Sequence, residues 1–115
     1  MRAAIALTEQ LSGFGRKFLV LGDMLELGEH EEQFHRGIGA MLSPERVDYV
    51  FTFGRLGRFI ADEAAQKFPQ AQVRAYDDKA QLAEELAALA RAEDLVLVKG
   101  SRGMRLEQVV HSLLA

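Results

Sequence analysis

The 115-residue sequence contains no cysteine. That absence excludes disulfides, thiolate zinc sites and cysteine nucleophiles together. There is no apolar run near the roughly 18 residues that a membrane-spanning helix requires. The first ten residues, Met1-Arg2-Ala3-Ala4-Ile5-Ala6-Leu7-Thr8-Glu9-Gln10, have some likeness to an export signal. Their apolar stretch is short and Glu9 and Gln10 interrupt it, so they read as an amphipathic helix. Lack of cysteine and of an export signal favours the cytoplasm. An excess of basic charge is missing too: Lys plus Arg number 14 against 17 acids, a net charge of −3. This balance argues against a general polyanion binder but leaves room for a local anion site. Solenoid repeats, low-complexity stretches and linkers are absent, and no Gly-x-x-x-x-Gly-Lys-Ser/Thr stretch offers a phosphate loop for ATP. What is present, 49% hydrophobic and 27% charged residues, is ordinary for one globular domain over residues 1–115. A chain of this size buries about two-thirds of its unfolded surface and needs no covalent staples.

Residues 2–12 carry Ile5, Leu7 and Leu11 among alanines, a helix with a modest apolar face that Gly13-Phe14-Gly15 stops. Residues 17–21, Lys-Phe-Leu-Val-Leu, form a short apolar run, expected as a buried strand. Phe34, Ile38, Met41 and Leu42 mark a helix over residues 30–42, ended by Ser43-Pro44. Residues 49–53 are aromatic and β-branched, a second strand. After Gly54, Leu56, Phe59, Ile60, Ala64 and Phe68 mark a helix closed by Pro69. A weaker strand covers residues 71–76, and Asp77 or Asp78 is placed to cap a helix striped by Leu82, Leu86 and Leu89. Residues 95–98 form a fourth strand, and a last helix runs over about 104–114. This alternation implies an α/β, Rossmann-like three-layer domain with a mainly parallel sheet in the order 3-2-1-4.

In such a sheet ligands bind beyond the carboxyl ends of the strands where strand order reverses, here between strands 1 and 4. The two loops that follow these strands are the most unusual segments of the chain. The first is Gly22-Asp23-Met24-Leu25-Glu26-Leu27-Gly28-Glu29, within a stretch from Asp23 to Glu32 that holds five acids and no Lys or Arg. Its bland explanation is that Met24 and Leu27 plug a helix–sheet gap and the glutamates favour a helix N-terminus. Asp23, at the strand tip, points towards function. The second loop is Lys99-Gly100-Ser101-Arg102-Gly103-Met104-Arg105. Two glycines permit close backbone approach, and three cations surround a helix N-terminus that already favours an anion. A guanidinium there matches a carboxylate or phosphate in bidentate fashion. The alternative is that Arg102 and Arg105 pair with the acidic loop and brace the two loops together.

Other signals are weaker. Glu31 and His35 lie four residues apart on one helix face and could chelate a metal; with no third ligand, a solvated or capping pair is expected, and no metal. His30 and His111 have no evident partner. Gly13-Phe14-Gly15 precedes a strand and Gly54-Arg55-Leu56-Gly57 is incomplete, so neither is a dinucleotide fingerprint.

Three segments in this order resemble the C-terminal domain of the Mur ligases: Leu21-Gly22-Asp23-Met24-Leu25-Glu26-Leu27-Gly28, Phe34-His35-Arg36, and Val98-Lys99-Gly100-Ser101-Arg102-Gly103-Met104-Arg105-Leu106-Glu107. The likeness covers essentially the whole chain and is strongest to those members that add D-alanyl-D-alanine to UDP-MurNAc-tripeptide in peptidoglycan synthesis. It implies one domain of a three-domain enzyme, the others being a UDP-sugar domain and a central ATPase. It further implies ATP and Mg2+, bound mainly by those other domains, and an acyl-phosphate intermediate attacked by the dipeptide amine. Met1-Arg2-Ala3-Ala4 matches an internal position of the family, which implies an excised domain that does not turn over alone and holds no cofactor itself. The residues expected to line the substrate are Asp23, Met24, Glu26, Lys99, Gly100, Ser101, Arg102 and Gly103, with no catalytic residue among them. Nucleic acid and membrane are not expected partners. Two rival readings stay open: a stand-alone α/β phosphate- or nucleotide-binding module, and a response-regulator-like interaction domain. The latter needs more acids at the first strand tip than Asp23 alone.

Overall fold

In a computed structural model, residues 1–25, 28–101 and 105–114 are described, with residues 111–114 described by their backbone. Four strands, β1 (Lys17–Gly22), β2 (Tyr49–Phe53), β3 (Val73–Tyr76) and β4 (Leu95–Lys99), alternate with five helices. The helices are α1 (Arg2–Gln10), α2 (Glu31–Met41), α3 (Gly57–Ala64), α4 (Lys79–Leu89) and α5 (Glu107–Leu114). All strand pairings are parallel and the order is β3-β2-β1-β4, as the alternation implied.

Side chains alternate across the sheet, so each strand feeds two cores. Leu19, Leu21 and Val50 pack with Ile5, Ile38, Leu42, Ile60, Ala64 and Phe68, placing α1, α2 and α3 on one face. Phe18, Val20, Phe51 and Tyr76 pack with Leu82, Ala83, Leu86, Leu106 and Val109, placing α4 and α5 on the other. Within this second core the Phe18 and Tyr49 rings stack at 4.7 Å across the β1–β2 pair. β1, central and apolar, is buried from Phe18 to Gly22, whereas the apolar residues of β4 are only partly buried.

Element ends differ from expectation in ways that local chemistry explains. α1 stops at Gln10 and buries Ile5 and Thr8, not the expected stripe: Leu7 and Leu11 are 60% and 41% exposed. Ile5 and Thr8 are three apart and share a face, whereas residues two apart point away from each other. Thr8 tolerates burial because its hydroxyl donates to the Ala4 carbonyl at 2.9 Å. Pro69 opens a short 3-10 turn, Gln70–Gln72, which shortens β3. α3 ends at Ala64, and a turn carries Phe68 into the core without further helix. Of the two candidate caps before α4, Asp78 is the one used, its carboxylate accepting from the Ala80 N–H at 2.8 Å. α5 begins at Glu107, later than expected.

Candidate functional site

The site lies where β1 and β4 end side by side, Leu21 paired with Lys99 in register. Gly100 crosses over Gly22: a Cβ on Gly100 would stand 3.3 Å from the Gly22 Cα and 2.8 Å from Leu106 Cδ1. Glycine at this position is what lets the basic loop leave β4 flat against the tip of β1.

The two loops are then sewn together through Ser101. Its N–H donates to the Asp23 carbonyl at 3.0 Å, and its hydroxyl oxygen accepts from the Leu25 N–H at 2.8 Å. The acidic and basic loops therefore share one end of the sheet, as the strand order required. Among the described residues a serine braces the two loops together; the alternative that gave this role to Arg102 lies outside them. Leu25 itself is exposed and Met24 half-buried.

Asp23 is 7% exposed. Its Oδ1 accepts from the Gly57 N–H at 2.8 Å, which places the carboxylate at the N-terminus of α3, where an anion is favoured. Gly54, at φ +99°, passes so close that a Cβ would stand 2.6 Å from the same Oδ1. The loops after β1, β2 and β4 thus meet at this one residue.

His35 overturns its sequence reading. It is not a solvated partner of Glu31 but a fully buried side chain. Its Nδ1–H donates to the Glu31 carbonyl at 2.6 Å and its Nε2 accepts from the Met24 N–H at 2.9 Å. The Glu31 carboxylate pairs instead with Arg55 at 2.9 Å. The available signal was the spacing of His35, Ile38 and Leu42, which puts the imidazole on the buried face of α2. No group of three metal-ligating side chains occurs among the described residues.

Lys99 is exposed at the end of β4. It lines a hollow of about 280 Å3 with Val98, Gly100, Ser101, Leu106, Glu107 and Val110. Arg105, the exposed residue leading into α5, takes φ +52°, a costly conformation for a side chain with a Cβ. Its carbonyl accepts from the Lys79 ammonium at 3.5 Å. Of the expected substrate-lining set, the structure brings together Asp23, Met24, Lys99, Gly100 and Ser101. Glu26, Arg102 and Gly103 lie outside the described residues.

Comparison with known proteins bears on this arrangement directly. Residues 1–102 match the model of the Mur ligase family's glutamate ligase domain. The chain is 51% identical, over 114 residues, to the UDP-N-acetylmuramoyl-tripeptide–D-alanyl-D-alanine ligase of Bacillus subtilis (strain 168), covering 99% of this chain and 25% of that protein. A crystal structure of MurF from Acinetobacter baumannii superposes with a TM-score of 0.82 at 26% identity, covering 99% of this chain and 25% of that one. The MurF ligase from Thermotoga maritima in complex with ADP superposes at 0.74 with 30% identity, covering 97% and 24%. The chain thus spans about a quarter of the length of the relatives it matches. No described helix is long and apolar enough to cross a membrane. With the family model covering nearly the whole chain and the same layered sheet recurring in MurF structures, the chain belongs to the Mur ligase family, as a C-terminal domain of the MurF kind.

Proposed function

We propose that this chain is the dipeptide-positioning domain of a three-domain, ADP-forming ligase that joins D-alanyl-D-alanine to UDP-MurNAc-tripeptide in the bacterial cytoplasm. The relatives named for that reaction, and the ADP held by one of the solved structures, support the reading. The carrying observation is the junction of the β1 and β4 loops at Asp23 and Ser101, on neighbouring strands at the point where strand order reverses. A zwitterionic dipeptide needs cations for its carboxylate and an acceptor near its ammonium. The 99–105 loop, with Lys99 and Arg102, is assigned the first need and Asp23 or Glu26 the second, while Asp23, Met24, Gly100 and Ser101 meet where the two loops join. ATP and Mg2+ are held mainly by the other domains, which also bind the UDP-sugar peptide, so the isolated chain is inactive.

The chemistry asked of such a domain is placement. Holding the amine in line with an activated carboxyl turns a bimolecular encounter into an intramolecular one, worth up to several kcal/mol. Closing over the site also keeps water from an acyl phosphate. In the ligase that contains this chain, Arg102→Ala raises KM for D-alanyl-D-alanine or lowers kcat, with stability near wild type. Loss of the fold with unchanged kinetics of the folded fraction would show instead that the arginine is only a brace. Calorimetry on the 115-residue chain with ADP, phosphate and D-alanyl-D-alanine separates this reading from a stand-alone nucleotide module. Tight nucleotide binding by the chain alone is the result that favours the module.

A further inference from the structure

We infer that His35, held neutral with its proton on Nδ1, is the positioning residue that sets the backbone of the β1 loop against Ser101. The Glu31 carbonyl only accepts, so at 2.6 Å the Nδ1 beside it must carry hydrogen. The Met24 N–H only donates, so at 2.9 Å Nε2 must be bare. One tautomer satisfies both, and an imidazolium would turn an N–H towards an N–H. The ring is fully buried on α2, with the Phe34 ring edge-on at 5.4 Å, so it has no freedom to choose other partners.

The consequence reaches the site through the chain itself. Between residues 23 and 25 every polar backbone group that the structure shows engaged meets a partner on a different element. The Asp23 carbonyl meets the Ser101 N–H, the Met24 N–H meets His35, and the Leu25 N–H meets the Ser101 hydroxyl. His35 is the member of this set that comes from α2, and a half-buried backbone N–H left without its acceptor is costly. Removing the acceptor therefore frees Met24 and withdraws Leu25 from Ser101, the residue beside the proposed carboxylate-binding cations. A histidine that merely filled the core would not need either nitrogen in a defined state.

The test uses His35→Phe, which keeps the volume and lacks an acceptor, and His35→Gln, whose side-chain oxygen can accept from the same amide. In the wild-type chain, ring nitrogen NMR shifts should show a protonated Nδ1 and a bare Nε2. Hydrogen exchange at the Met24 amide should quicken about tenfold or more relative to Val20 in His35→Phe, and return most of the way in His35→Gln. Exchange at Met24 that changes only in step with Val20, or a proton found on Nε2, overturns the inference. A kinetic arm rests on the proposed function: in the whole ligase, His35→Phe should raise KM for the incoming amine several-fold and leave KM for ATP unchanged. A loosened Met24 amide with unaltered amine kinetics upholds the positioning role and removes the dipeptide from this loop.

Discussion

Asp94, at the end of the sheet away from the site, shows how much one carboxylate can hold. Its side chain is 2% exposed. Oδ1 accepts from the Arg16 N–H at 2.8 Å, and Oδ2 from the Arg16 guanidinium at 3.1 Å and the Arg91 N–H at 2.9 Å. Burial pushes the carboxyl up, yet the Arg91 and Arg16 donors outweigh it and hold Asp94 below its ordinary value. A depressed folded value means stability that is present above the unfolded pKa of about 3.9 and lost as pH falls through the folded one. Asp94→Asn should therefore cost about 1–3 kcal/mol at pH 7 in urea unfolding. The gap to wild type should narrow below about pH 4; an equal gap at both pH values would assign the effect to packing. Tyr76 gives the opposite slope. Its hydroxyl donates to Glu85 at 2.7 Å, and burial, then that bond, push the phenol up to about 12. The unfolded chain ionises first, near pH 10, so stability is lost from there upwards. Tyr76→Phe should flatten this alkaline arm of the stability profile, and an unchanged arm would clear Tyr76 of the effect.

Among the elements, α2 and α3 cross closely at Gly39. A Cβ on Gly39 would stand 2.4 Å from the Ile60 carbonyl oxygen and 2.8 Å from Glu63 Cβ. Backbone cannot swing aside as a flexible side chain can, so Gly39→Ala should destabilise by about 2 kcal/mol or more despite its better helix propensity. Thermal unfolding decides the sign: a stabilised variant would mean the two helices separate easily. The same crossing explains why the helix faces were only partly legible. Ile38, Leu42, Ile60 and Ala64 stand where periodicity put them, because a 3.6-residue repeat is a property of the local sequence. The same repeat puts His35 with Ile38 and parts Leu7 from Ile5; which face of each helix is buried depended on the neighbour it met.

For the molecule as a whole, the sheet has two strands bonded on both edges, β1 and β2, and two outer strands, β3 and β4. β1 pairs with both β2 and β4, and β4 pairs with β1 while its apolar residues stay half-exposed. Amide exchange should be slowest in β1 and faster by about tenfold or more in β4, since outer strands open at lower free energy. Equal protection in the two strands would reveal that the outer edge of β4 is covered in solution, by a second copy for instance, which sedimentation would detect. The strand order itself was legible. Short apolar runs alternating with helical periods leave parallel pairing with helices on both faces as the way to bury every face, and that topology put the β1 and β4 loops at one end.

What the sequence by itself determined was the set of elements, their parallel order and the pair of glycine-bounded loops, because propensity, periodicity and turn chemistry act over a few residues at a time. The partners inside the site were decided by tertiary structure alone. Asp23 bonding Gly57, Ser101 bonding Asp23 and Leu25, and His35 bonding Met24 all join residues 11 to 78 positions apart, or bring backbone groups together that carry no side-chain signature. A backbone N–H is the same in every residue but proline, so its acceptor is chosen by where the fold delivers it.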